Sequence, residues 1–205
     1  VSLDTYANLK IEIANWSNDD TLPQDTLIDL VEADLNRKLR THNQITTTTL
    51  NTTAQTIALP TDFVDHRFAT VQTNPLVTLS YVQPGQIDAM WPTGPGAIKN
   101  FTIIGTNIKF GPSPDSNYSV QLGYYQKIEA LSDSNTTNWV LSNHPDVYLF
   151  GCQAMAAIYT DPSLENTETQ NLVALYNNAI SGIDENSKQL ELSTPSQVFV
   201  NGPVV

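Results

Sequence analysis

His144 and Cys152 are the one imidazole and thiol that stand near each other in this chain, and a Cys–His pair is the chemistry of an activated nucleophile. They are eight residues apart in a segment of helical character. On a helix that spacing is roughly 12 Å of rise, too far for a hydrogen bond. Cys152 also falls among apolar neighbours, so it reads as a structural thiol. His42, His66 and His144 are scattered without the spacing of metal ligands. Asp62 with Asp65, or Asp19 with Asp20, could supply the two carboxylates of glycoside hydrolysis. Asp62, however, follows Pro60 where a turn or cap role is ordinary, and Asp19 and Asp20 sit in a polar loop. The sequence has neither a phosphate-binding Gly-x-x-x-x-Gly-Lys-Ser/Thr loop nor a dinucleotide fingerprint. Trp16, Trp91 and Trp139 are dispersed, and Trp139 reads as an anchor packing a turn on the core rather than a sugar platform. No enzyme and no cofactor or metal site is expected.

The element around which these residues are arranged is 137–159. Thr137 to His144 reads as a turn, and Pro145 suits the first turn of a helix because its missing N–H costs nothing there. Asn143 or His144 can cap that helix, and Asp146 complements its dipole. From Val147 to Tyr159 only Gln153 is clearly polar. Tyr148, Cys152, Met155 and Tyr159 line one face, while Val147, Gly151, Ala154 and Ile158 line a second. A helix apolar on two faces is buried between partners. Trp139, Tyr148, Cys152, Met155 and Tyr159 are therefore the expected core anchors. At about 24 Å the segment is too short for a membrane span.

Two helices precede it. Residues 4–16 place Tyr6, Leu9, Ile13 and Trp16 at helical spacing, with Asp4 at the first turn. Pro23 opens a second helix with Leu27, Ile28, Val31, Leu35 and Leu39 on one face. Its acidic start and basic end (Arg37, Lys38, Arg40) match the macrodipole. A fourth helix follows Ser163, with Glu165 and Glu168 in its first turn and Leu172, Tyr176, Ala179 or Ile180, and Ile183 on its buried face. It fades near Lys188.

The texture between 43 and 136 differs. Thr and Asn make about a fifth of the chain, above average usage, and Thr favours strands while Asn favours turns. Strands are expected in the Thr run from Thr46, at 55–59, 67–72, 76–82, 101–104 and 107–110, and at 118–126, where Tyr118, Val120, Leu122 and Tyr124 alternate. Gly105 marks a hairpin turn, and a short helix spans Pro84–Trp91. From Gln189 onward no helical period survives. Leu190, Leu192, Val198, Phe199, Val200, Val204 and Val205 lie among Pro195 and Pro203 in what reads as an extended apolar arm.

The fold class is thus α+β: a four-helix core (1–42 and 137–188), an inserted antiparallel β-subdomain (43–136) and an extended C-terminal arm (189–205). The formal charge of −12 argues against tight wrapping of nucleic acid, which needs basic side chains to neutralise phosphates. One cysteine permits no intramolecular disulfide and no Cys-cluster metal site. No charged and apolar leader opens the sequence, so no secretion is expected.

Several motifs in fixed order resemble those of tailed-phage head–tail adaptor (connector) proteins. They are Leu59-Pro60-x-Asp62-Phe63, then Tyr124-Tyr125 with Ile128 and Leu131, then Thr137-Asn138-Trp139-x-Leu141-x-Asn143-x-Pro145-Asp146-x-Tyr148-Leu149-x-Gly151. Leu3 to Leu9 and the helix around Glu32 to Arg37 fit the same pattern, and the similarity spans about 1–185. The resemblance implies a structural virion protein at the head–tail junction, assembled in the host cytoplasm. It implies a homo-oligomeric ring, commonly of twelve copies, beneath the portal protein. Such a ring docks tail or nozzle proteins and extends the channel for genomic double-stranded DNA during ejection, without membrane contact.

Within that expectation an acidic lining lets DNA pass without sticking. Arg37, Lys38 and Arg40 either complement their own helix terminus or contact DNA or an acidic portal surface. The arm either folds back on its own domain or reaches a neighbouring subunit or the portal; seven apolar residues in an aperiodic tail favour the second. A second function class, a glycan-binding or glycan-cleaving phage tail module, rests on the β-rich middle, the acidic residues and the tryptophans.

Overall fold

A computed structural model of the chain describes residues 2–92, 94–161 and 167–193. The chain divides into two compact units, Val1–His42 with Ile128–Val205, and Asn43–Lys127. The mixture of helices and largely antiparallel sheets makes the fold α+β.

The first unit is helical. α1 (Tyr6–Ser17) is capped by Thr5, whose side chain accepts from Asn8 N, while Asp4 instead accepts from the Asn8 side chain. α2 (Gln24–Lys38) buries Leu27, Ile28, Val31 and Leu35 at helical spacing. The expected turn before the central helix itself contains a helical turn. Further on in the chain, α4 (Trp139–Asn143) is capped by Asn138, which accepts from Leu141 N at 2.9 Å. α5 (Pro145–Thr160) follows at once from His144, with Pro145 at its first position. It packs against α1, α2, α4 and α6 (Thr167–Ser193). One apolar core joins them, including Leu9, Ile13, Ile28, Leu35, Val147, Tyr148, Cys152 and Tyr176. Gly151 makes the approach of α2 and α6 to α5 possible: a Cβ there would lie 2.8 Å from the Tyr176 ring and 3.0 Å from Val31.

Residues 128–136, read from sequence with the β-rich segment, lie in the helical unit, because Ile128 and Leu131 are buried in its core. The arm expected from Gln189 is corrected in part. α6 continues to Ser193, so Leu190 and Leu192 belong to a helix; Gln, Leu and Glu are good helix formers, and the first breaker is Pro195. Val198, Phe199, Val200, Val204 and Val205 lie outside the described residues, as do Ser163 and Glu165.

The second unit contains two four-stranded sheets. β1 (Ile45–Thr52), β2 (Thr56–Ala58), β3 (Phe63–Val71), β4 (Val77–Thr78) and β5 (Ser80–Tyr81) precede the short helix α3 (Pro84–Met90). β6 (Pro95–Gly96), β7 (Asn100–Ile104), β8 (Asn107–Gly111), β9 (Ser113–Pro114) and β10 (Tyr118–Gln126) follow it. The sheet orders are β1-β10-β3-β4 and β2-β8-β7-β5, and β6 pairs with β9. Two short pairings, β5 with β7 and β6 with β9, are parallel, which departs from the wholly antiparallel arrangement expected. Leu50, Val71, Val120 and Leu122 from one sheet share an apolar core with Phe101, Ile108 and Phe110 from the other. Gly105, at φ +60°, opens the two-residue loop between β7 and β8, a conformation that favours glycine. β10 alternates as expected through Val120, Leu122 and Tyr124, but Gly123 and Tyr125 are also buried. Phe68 lies over Gly123, and Arg67 stacks on the Tyr125 ring at 5.4 Å.

Candidate functional site

Among the described residues, the groups with catalytic potential singled out above are not brought together within either unit. His42 contacts the Ser187 hydroxyl at 3.4 Å. His66 stacks on Tyr81 with centroids 4.6 Å apart and meets Phe101 edge-on. His144 joins α4 to α5 and sets its ring against Trp139. Cys152 is fully buried, and desolvation, with the charge of Glu32 beside it, pushes its thiol far above the ordinary range. A thiol held protonated is a poor nucleophile. Asp62 accepts from Tyr124 Oη at 3.0 Å, whereas Asp65 turns to His66 Nδ1 at 3.4 Å. Asp19 receives both the backbone N–H and the hydroxyl of Thr21, which lowers its carboxyl. Among the described residues, no group of three or more His, Cys, Asp or Glu is placed to hold a metal ion. A cleft of about 250 Å³ in the helical unit is bounded by Trp16, Gln153, Thr160 and Leu172.

The basic cluster at the end of α2 is engaged locally. Arg37 and Lys38 reach the Asp34 carboxylate at 3.1 Å and 2.7 Å, and the same carboxylate accepts from Tyr176 Oη at 3.0 Å. Arg40 donates to the backbone carbonyls of Asn36 and Leu39, as a cation at a helix C-terminus is placed to do. Burial pushes the Asp34 carboxyl up, but donation from Lys38 and Tyr176 and the charges of Lys38 and Arg37 outweigh it, leaving it below its ordinary value. The Arg37 side chain is 73% exposed and is the member most open to a partner.

The expected core anchors divide. Tyr148 and Cys152 are fully buried, and Trp139 and Met155 are partly buried against the same core. Tyr159 is not a core residue: it is 66% exposed on the last turn of α5. Trp16, read as part of the buried face of α1, is likewise 58% exposed and tilts against Phe150. Both stand at helix ends, where the face that a helix presents continues past the partner it packs on.

A buried polar network was missed in the sequence. Glu32 on α2 accepts from Leu131 N at 2.8 Å and from Tyr148 Oη at 3.0 Å. The Asn138 amide donates to Tyr148 Oη and to the Glu129 carbonyl, and Asn36 Oδ1 accepts from Ile128 N. This network holds segment 128–138 onto α2 and α5, and Gln153 does the same for α1 by donating to the Ile13 carbonyl. The available signal was Glu32 itself, which stands four residues after Ile28 on the apolar face of α2.

The charge is unevenly shared. In 43–127 the four basic and four acidic residues cancel, so the helical unit carries the whole formal charge of −12. The chain thus has an acidic helical unit and a neutral β-unit. No curated protein matches the chain. The family model described as SU10 adaptor protein matches residues 4–198, nearly the whole length, and includes every element described above. The chain belongs to the SU10 adaptor protein family, a family of phage head–tail adaptors.

Proposed function

We propose that this structural phage protein assembles as a ring of twelve copies between the portal and the tail, extends the DNA channel and docks the tail or nozzle proteins. The observation that carries this reading is the family match across 4–198. The interior supports it: a segment that returns from the β-unit is clamped by Glu32, Asn36 and Asn138, which suits a subunit that must keep its shape in an assembly. The acidic helical unit suits passage of double-stranded DNA without retention, since binding would require phosphate neutralisation. No described helix is long and apolar enough to cross a membrane. Apolar residues toward the C-terminus, Leu190, Leu192, Val198, Phe199, Val200, Val204 and Val205, contact the next subunit or the portal. In the basic cluster, Lys38 and Arg40 serve mainly to complete the end of α2, and Arg37 is the residue that reaches a portal or DNA surface.

Phage produced without this chain tests the reading. Electron micrographs should show DNA-filled or emptied heads and separate tails, with no joined particles. Complete virions that merely fail to infect would overturn it, and would be the result expected of a glycan-directed tail module.

A further inference from the structure

The two four-stranded sheets of the β-unit have four edge strands, β1, β4, β2 and β5. Three of them are only two or three residues long. Short edges are one way in which a fold avoids adding foreign strands. β1 is the exception: it has eight residues, Ile45–Thr52, paired with β10 along their whole length without a register shift. It also has no charge, no proline and no bulge, three of the other usual protections.

The contrast with β3 is informative. Where β4 leaves β3 uncovered, the strand carries Asp65, His66 and Arg67 and two register irregularities. β1 carries Thr46, Thr47, Thr48 and Thr49 instead, residues of high strand propensity. Among the described residues, no backbone hydrogen bond joins Ile45–Thr52 to anything but β10. Among the described residues, the alternate peptide groups that face away from β10 therefore have no main-chain partner, over a length of about 27 Å.

One segment of this chain has matching chemistry. Residues 196–202, Ser196-Gln197-Val198-Phe199-Val200-Asn201-Gly202, carry no charge and centre on three consecutive strand-forming side chains. Pro195 and Pro203 bracket them, and proline ends a ladder because it cannot donate to it. The window between the prolines spans about 24 Å when extended, close to the length of the open edge. Neither strand carries a charge, so pairing them desolvates none and opposes none.

We infer that residues 196–202 of one copy add as a strand to the open edge of β1 in a second copy. Main-chain hydrogen bonds supply the affinity, and the alternate side chains of the added strand set its register. This rests on the ring reading above, because it requires copies side by side.

Chains carrying one added cysteine each test it, with a chain carrying both added cysteines as the intramolecular comparison. Thr47→Cys, Thr49→Cys or Asn51→Cys is mixed during assembly with Val198→Cys, Phe199→Cys or Val200→Cys, then mildly oxidised, and particle mass is measured on the same samples. Cys152 does not compete, being fully buried. The expected result is a disulfide-linked pair of chains in at least one mixture. That product should fall at least several-fold when Val200→Pro or Asn201→Pro is added to the Val198→Cys chain, since one of these adjacent residues must donate toward β1. Ring-sized particles with no cross-chain disulfide in any mixture overturn this inference and leave the ring reading standing. A disulfide that forms only when both cysteines are on one chain also overturns it, by placing the segment on its own β1. Particles of monomer mass without disulfide overturn both readings.

Discussion

The Tyr148 hydroxyl on α5 donates to the Glu32 carboxylate on α2 across 3.0 Å in the interior of the helical unit. Tyr148 Oη itself accepts from the Asn138 amide at 2.7 Å, and the same carboxylate oxygen accepts from Leu131 N. A buried carboxylate is costly unless its lone pairs are satisfied. Here the donors come from α5 and from the returning segment 128–138, so satisfying the charge fixes where both must lie. Removing any one donor would leave the buried carboxylate short of a partner, which is costly.

Removing the Tyr148 hydroxyl should therefore be felt. Tyr148→Phe leaves Glu32 with one fewer donor and should destabilise the chain by about 1–3 kcal/mol. Urea denaturation checks this, with far-UV circular dichroism showing the helices intact. An unchanged midpoint would mean that the hydroxyl does not support the buried carboxylate.

Two carboxylates on α2 should give pH dependences of opposite sign. Burial raises the Glu32 carboxyl, against donation from Leu131 and Tyr148. A raised acid contributes stability that is fully present below its ordinary value and lost as pH rises through the raised one. Glu32→Gln should thus cost more near pH 4 than near pH 7. The Asp34 carboxyl is lowered on balance, as its bonds and neighbouring cations outweigh burial. Its contribution is present above the ordinary value and lost as pH falls through the lowered one, so Asp34→Asn should cost more near pH 6 than near pH 3. Melting temperatures of both variants across that range provide the check, and slopes of the same sign would contradict the assignment.

Gly151→Val tests the close approach on α5. The new side chain meets Tyr176, whose ring is held by its hydrogen bond to Asp34, and Val31 behind it. Overpacking of this kind costs about 1–3 kcal/mol. Chemical denaturation should show the loss, and a variant as stable as the parent would show that α6 can move away freely.

Much of this was legible in the residues. The apolar spacing of α2 named its buried face, Pro145 marked the start of α5, and Tyr118 to Tyr124 announced β10, because local chemistry decides each of these. What could not be read depended on partners distant in sequence. Glu32 is an ordinary surface residue type until Leu131 and Tyr148 arrive to satisfy it. Tyr159 has the spacing of a core residue but stands on the last turn of α5. Gly151 looks neutral in the sequence, and only the ring of Tyr176 gives it a purpose. The parallel pairing of β5 with β7 has no local signature at all. The family had to be found in the order of motifs, not in any one of them.

Truncation after Ser193 should separate folding from assembly. Removing 194–205 leaves α6 complete, so the melting temperature of the monomer should move by no more than about 2 °C. The mass distribution of the assembled protein should shift strongly toward single chains. A large fall in melting temperature would show that this segment completes the fold of its own chain.

The central claim is that the chain is a ring-forming adaptor on the portal. The most direct measurement is the mass and image of the purified protein mixed with its portal protein, by native mass spectrometry and electron microscopy. A complex in which twelve copies of this chain extend the portal as a coaxial ring is the predicted result. Portal particles of unchanged mass beside a chain that remains monomeric would contradict it.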